Sequence, residues 1–294
     1  MSKELNFQQL REHLHQCGQL SLDEIMAISE FYDRPDLSAF SITSITRGEF
    51  QLAHYQMPSN GLSPKRAWLI HGLLDHSIYM LRVAEVLSRL GYQVNMLDLP
   101  GHGLSVGERG RINDFRDYAE LLKGQVRAND LFVGFSTGCV AWLENMVCER
   151  AVLIAPLIRS RGYRWSVAGV SLLRFLGQKK ITRGPSAPSH DQEFLKWRAR
   201  DPMSPGEIDL YWCQSLIKWN REVVDHWQSD SSRTPLIVYG TSDRTLEALK
   251  GAKKLEERFN TKVKWIHGAG HNIICESDEY YRALELMITD YCKF

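Results

Sequence analysis

A chain of 294 residues with a formal net charge of +1 and 44% hydrophobic residues has room for one large α/β domain or for a domain carrying an insertion. The near-balance of charge leaves no electrostatic footprint for nucleic acid. Cysteines 17, 139, 148, 213, 275 and 292 lie far apart without a CxxC pair, which excludes a disulfide framework or zinc site and reads as reduced thiols. No apolar run approaches the ~18 residues of a membrane span, and Met1 to Gln9 lacks the apolar core of a signal peptide. The expectation is a cytoplasmic globular protein without stable membrane insertion.

Residues 1–39 read as a polar helical extension packed on the outside, with Leu5, Leu10 and Leu14 among charges and Ser21 with Glu24 as a capping box. From Phe40 to Met57 the pattern becomes strand-like, turning at Arg47-Gly48-Glu49. Asn60-Gly61 and Ser63-Pro64 mark a loop. Ala67 to Ile70 is a buried strand that runs into His71-Gly72-Leu73-Leu74-Asp75-His76, where an oxyanion-hole loop belongs if a nucleophile follows downstream. Gly72 allows the turn that would aim the Leu73 amide, and His71, beside it, reads as a brace for the loop. Ser77 to Leu90 is an amphipathic helix closed by Gly91.

A strand from Gln93 to Leu99 leads into the tight loop Pro100-Gly101-His102-Gly103-Leu104-Ser105, in which Asp98 and His102 are expected to hydrogen-bond the loop. Ile112 to Val126 is read as a helix with Phe115, Tyr118, Leu121 and Leu122 on one face. The apolar run Leu131 to Val133 then ends in Gly134-Phe135-Ser136-Thr137-Gly138 and is followed by a helix-compatible segment, Cys139 to Val147. Strand, Gly-x-Ser-x-Gly turn and helix are the context of a nucleophile elbow, whereas the pentapeptide alone could be an ordinary turn. The glycines leave room for a sharp turn, and the helix start offers free backbone N–H groups to a developing oxyanion.

After the strand Arg150 to Pro156 the texture changes. Residues 157–232 hold tryptophans 165, 197, 212, 219 and 227, many basic residues and a Gly/Pro/Ser loop at 184–189. No strand alternation is visible, so this stretch is read as a helical cap inserted into a core of residues 40–156 and 233–294. Some of its tryptophans belong to a core and some to a pocket wall. Thr234 to Gly240 is the next strand, with Asp243 just past its end. A helix follows from Leu246 to Phe259, then the strand Lys262 to Ile266, His267-Gly268-Ala269-Gly270-His271, and a final helix from Ser277 to Tyr291. Alternating strands and helices imply a mostly parallel sheet with function at the C-terminal strand ends.

Ser136, Asp243 and His271 thus fall at the ends of separate strands in the order Ser, Asp, His. A serine hydroxyl is a poor nucleophile until a base takes its proton, the role of His271, and Asp243 would fix the tautomer of that ring. His267 is the rival base, but it still belongs to the strand. The amides of Leu73 and Thr137 would hold the oxyanion, one such donor being typically worth ~3–4 kcal/mol. Gly72, Leu74, Phe135, Trp165 and Trp212 are the candidate substrate contacts.

With these residues in place, the chain resembles an α/β-hydrolase-fold serine hydrolase, and more narrowly the monoacylglycerol lipase/lysophospholipase group. The resemblance rests on His71 to Ser77, Asp98 to Ser105, Gly107-Glu108-Arg109-Gly110, Gly134 to Gly138, Gly240 to Arg244 and Gly270-His271. It implies hydrolysis of an apolar, lipid-like acyl ester through an acyl-serine intermediate, a cap over an acyl tunnel, and no metal or cofactor. The elbow reads Gly-Phe-Ser-Thr-Gly-Cys where that group usually has histidine before the serine and methionine after it. The same triad would serve a peptidase, thioesterase or carbon–carbon bond hydrolase, and the fold alone would serve a binding protein. The cap acids Asp191, Glu193, Glu207 and Asp209 do not announce an amine-binding cluster. Its basic residues Arg159, Arg161, Arg164, Lys179 and Lys180 read as a solvated face. Oligomeric state is not encoded in any of these features.

Overall fold

The computed structural model describes residues 5–58, 65–182, 188–204 and 206–293, with the side chains of residues 164–166 left out. The loop at Asn60-Gly61 and Ser63-Pro64, most of the loop at 184–189 and the Trp165 side chain lie outside the described residues.

In chain order the strands are β1 (Ser41–Arg47), β2 (Phe50–Met57), β3 (Lys65–Ile70), β4 (Tyr92–Leu97), β5 (Leu131–Phe135), β6 (Arg150–Ile154), β7 (Lys180–Thr182), β8 (Glu207–Asp209), β9 (Leu236–Gly240) and β10 (Lys264–Ile266). Eight of them form one sheet in the order β1-β2-β4-β3-β5-β6-β9-β10. β2 is antiparallel to β1 and β4, and every other pair in that sheet is parallel. β5 is buried at every position, as expected of a parallel strand covered on both faces, and this is why it reads as a continuous apolar run.

The helices are α1 (Phe7–Cys17), α2 (Leu22–Phe31), α3 (Leu81–Arg89), α4 (Val140–Asn145), α5 (Tyr163–Phe175), α6 (Gln192–Arg198), α7 (Leu210–Glu222), α8 (Ala248–Phe259) and α9 (Asp278–Cys292). Helix α3 buries Leu81, Val83, Ala84, Val86 and Leu87, α8 buries Leu255 and Phe259, and α9 buries Tyr281, Leu284 and Ile288. Each is the apolar stripe of an amphipathic helix laid on a sheet. Among the described residues no helix is long and apolar enough to cross a membrane.

Three local expectations are corrected. Residues 112–126 do not form an α-helix: the ordered part is a 3-10 helix, Phe115–Leu121. Its buried Phe115, Tyr118 and Leu121 are three apart, and side chains at i and i+3 eclipse on a three-residue turn, so one face goes inward. Residues 157–232 also contain the antiparallel pair β7 and β8, whose three-residue strands are too short to show an alternation in sequence. The N-terminal segment is more than an outer layer. Phe7, Leu10, Leu14, Ile25 and Ile28 are buried in the common core, and backbone bonds from Leu20 to Ile42 and from Ser44 to Gly18 dock the segment on β1. The edge strand is thereby covered. The Ser21/Glu24 capping box forms as read.

Candidate functional site

Ser136 follows β5 directly, with φ 51°, a left-handed backbone that costs a non-glycine residue free energy and persists only where its surroundings enforce it. Here they do. A Cβ on Gly138 would lie 2.2 Å from the Ile70 carbonyl oxygen, and one on Gly134 would lie 2.7 Å from Cys139 Cα. Only glycine at both positions lets the turn close against β3 and its own following helix. The chain then makes a 3-10 turn, Ser136–Cys139, before α4.

His271 approaches from the loop after β10. Its Nε2 lies 3.1 Å from Ser136 Oγ and its Nδ1 2.8 Å from Asp243 Oδ2. Asp243, past the end of β9, accepts from the Thr245 and Leu246 amides through Oδ1, at 2.7 and 3.0 Å. One oxygen therefore holds the turn while the other faces the imidazole. Helix α8 starts later, behind Glu247, so Asp243 is not its N-cap. Burial would raise the Asp243 carboxyl, but the His271 ring and the two amides outweigh it and hold the group below its ordinary value. The carboxylate is thus ionised at neutral pH and the His271 Nδ1–H points to it, which leaves Nε2 free to accept the serine proton. His267 is exposed and takes no part in this chain of hydrogen bonds.

The wall opposite Ser136 is the loop after β3. His71 is fully buried, its Nδ1–H donating to the Gly72 carbonyl at 2.7 Å and its Nε2 accepting from the Leu99 amide at 2.9 Å. Burial lowers its pKa, so it is a neutral brace, as expected. Asp98 accepts from the amides of Ser77 and Leu104 and from the Tyr55 hydroxyl. His102 bonds Pro100 and is pushed down to about 3, first by burial and then by His71. The hydrogen bonds of both go to the loop at 100–105 and its neighbours, not to Ser136, Asp243 or His271.

The cavity at Ser136 encloses about 120 Å³ and is lined by Leu73, Leu74, Thr137, Leu157, Ile208, Trp212, Leu246, His271 and Asn272 among others. Leu73, Leu74, Thr137 and Trp212, all read as candidates from the sequence, line this cavity. Trp212 is anchored by its Nε1–H on the Tyr118 hydroxyl at 3.2 Å. Two candidate contacts are corrected. Phe135 is 1% exposed and packs behind the His271 ring, 5.3 Å between centroids. Gly72 lies under that same phenyl ring, 3.0 Å from where its Cβ would be. Both support the site from behind, since the residue before an elbow serine points away from the turn's open side. Trp165, the remaining candidate, lies outside the described side chains.

Sequence reasoning missed Leu157, Ile208, Leu246 and Asn272 as wall residues. Ile208 sits in the unread strand β8, and the other three carry no pattern beyond apolarity or loop polarity. Thr137 Oγ1 and Asn272 Oδ1 are buried without a hydrogen-bond partner among the described residues, an exception to the rule that buried polar atoms are paired. Among the described residues no group of three or more His, Cys, Asp or Glu side chains is arranged to hold a metal ion. The acids Asp191 and Asp209 cap α6 and α7, accepting from backbone amides there, and Glu207 faces Lys180. They make no amine-binding cluster at Ser136.

A mostly parallel eight-stranded sheet flanked by helices, with Ser, Asp and His at its strand ends, defines an α/β-hydrolase fold. The profile described as "Serine aminopeptidase, S33" (Hydrolase_4) matches residues 64–278, and the chain belongs to that hydrolase family. It is 26% identical over 221 residues to Phospholipase YtpA of Bacillus subtilis (strain 168), covering 69% of this chain and 82% of that one. It is 24% identical over 256 residues to Protein ABHD14A of Rattus norvegicus, covering 85% and 82%. In structure it is similar to a soluble variant of monoglyceride lipase from Saccharomyces cerevisiae in complex with a substrate analog, with TM-score 0.70 at 17% identity over 86% of this chain and 96% of the other.

Proposed function

We propose that the protein is a serine hydrolase of carboxylic esters, acting on an apolar acyl substrate of the monoacylglycerol or lysophospholipid kind. The observation that carries this reading is the continuous chain Ser136–His271–Asp243, with both bonds at hydrogen-bonding distance and opening on a cavity with an apolar wall. Ser136 Oγ attacks the acyl carbon while its proton passes to His271 Nε2. The Leu73 and Thr137 amides receive the oxyanion, and the imidazolium returns the proton to the departing alkoxide. Water then repeats the sequence on the acyl-serine, releasing the acid. The phospholipase and monoglyceride lipase similarities support an ester as substrate. The absence of an acidic cluster beside Ser136, among the described residues, speaks against an amine-terminal peptide.

At about 120 Å³ the cavity is smaller than the several hundred Å³ of a pocket for a drug-sized ligand, so it accommodates the ester group and the acyl carbons next to it. The test is hydrolysis of a chain-length series of p-nitrophenyl esters and monoacylglycerols by native protein and Ser136→Ala. The expected result is cleavage of an acyl ester, with the chain-length optimum sizing the pocket, abolished in the variant. Folded native protein that cleaves no ester would overturn the assignment and bring thioesters, peptides and non-catalytic binding forward.

A further inference from the structure

We propose that Tyr32 and Asp201 are positioning residues for the loop that carries the Leu73 amide, so that the N-terminal helices form part of the working site. The functional consequence rests on the ester-hydrolase reading; the coupling itself rests on geometry alone. Tyr32 lies outside the residues that match the family, 64–278, so nothing in that family likeness assigns it a role.

The stretch 198–204 grips consecutive residues directly after Leu73. Ser204 Oγ donates to the Leu74 carbonyl at 2.5 Å, Arg198 Nη2 to Asp75 Oδ1 at 2.8 Å, and His76 Nε2–H to Asp201 Oδ2 at 2.6 Å. Leu74 has φ 61°, a conformation that a branched side chain holds only when its neighbours over-determine it. The grip supplies that determination, and with it the direction of the adjacent Leu73 N–H.

Asp201 is the centre of the grip. Besides His76, its carboxylate accepts from Tyr32 Oη at 2.9 Å, Tyr79 Oη at 2.5 Å and the Met203 amide at 2.8 Å. All these groups are buried. Burial opposes the charge, but His76, Tyr79 and Met203 outweigh it and hold Asp201 at about 2. A buried carboxylate with four donors is fixed in place, and losing one donor leaves an unsatisfied lone pair that loosens the rest. Tyr32 reaches it from the end of α2, its ring 4.5 Å from Trp197 and 5.3 Å from His76 between centroids. The same N-terminal segment holds the second loop at the site: Arg11 donates to the Gly103 carbonyl at 2.6 Å and His15 Nε2–H to the Leu104 carbonyl at 2.8 Å. That loop carries Leu99, whose amide braces His71. Residues 11–32 therefore clamp both loops from behind.

The test uses the full chain with Tyr32→Phe, which keeps the ring packing and removes one hydroxyl, and Asp201→Asn. Steady-state kinetics on p-nitrophenyl butyrate are read with amide hydrogen exchange of the peptide spanning 71–78 and with thermal unfolding. The expected result is a kcat lower by about tenfold in Tyr32→Phe and by about a hundredfold in Asp201→Asn, with KM within about twofold, since a small misplacement of an oxyanion donor costs up to about that much. Exchange in 71–78 should accelerate while exchange in β5 and β6 stays native. Native kcat together with native exchange in 71–78 in both variants would overturn the proposal. So would a loss of melting temperature with exchange raised uniformly and native kcat per folded molecule. If the native protein cleaves no ester and Ser136 takes no serine-reactive label, yet 71–78 still loosens selectively, the ester reading fails and the positioning link stands.

Discussion

The ends of β5, β9 and β10 and the loop after β3 meet at one cavity, but they are held by different means. Ser136, Asp243 and His271 follow strands of the same sheet, and their places are set by backbone geometry: a left-handed serine between two obligatory glycines and a carboxylate fixed by two amides. Leu73 also follows a strand of that sheet, β3, but its loop is fixed largely by side chains. Its neighbours are held by side chains from residues 198–204, and those in turn by Tyr32 and by the aromatic contacts of α1 and α2. The proposed proton-transfer groups and the Thr137 amide are placed by strand ends and the elbow turn, whereas the direction of the Leu73 amide depends on segments outside the sheet. Substitutions of the proton-transfer groups should remove chemistry outright, and those in the segments outside the sheet should scale it.

The largest effect expected separates the two histidines that follow β10. His271→Ala should lower the ester hydrolysis rate by about 10⁴-fold or more, because the members of the proposed triad would act as a unit. His267→Ala should stay within about twofold of native, the ring being exposed and outside the triad. Comparable losses from both, measured as initial rates on one ester, would remove the distinction between strand-end scaffold and surface loop. The graded losses expected in Tyr32→Phe and Asp201→Asn come next in size.

A smaller effect concerns the wall. Trp212→Leu trims a ring that closes the cavity, and space for about two more methylenes at about 0.8 kcal/mol each should raise the octanoyl-to-acetyl ratio of kcat/KM by about tenfold. An unchanged ratio in a folded variant would show that the acyl chain leaves by another route.

The same contrast explains what could be read from the residues. Ser136, Asp243 and His271 were legible because a strand followed by Gly-x-Ser-x-Gly, by Ser-Asp-Arg or by Gly-Ala-Gly-His is a local pattern, and a parallel sheet brings such ends together whatever their separation. The capping box at Ser21 was legible for the same reason. Asp201 was not. It sits in Arg200-Asp201-Pro202, an unremarkable turn, and its importance comes from Tyr32, His76 and Tyr79, between 122 and 169 positions away. No periodicity announces such contacts. Residues 115–121 were misread because spacing of three fits a 3-10 turn as well as an α-helical face. Phe135 was misread because its position before the serine suggested the pocket, while the turn sends the ring behind His271.

The central claim is that Ser136 is a nucleophile activated by His271. It is tested most directly by exposing the native full chain to a serine-reactive fluorophosphonate and mapping the adduct by mass spectrometry, with Ser136→Ala and His271→Ala alongside. The expected result is a single adduct on Ser136, absent from Ser136→Ala and formed far more slowly in His271→Ala. Folded native protein that takes no label, or that takes it at another serine with equal speed in all three proteins, would contradict the claim.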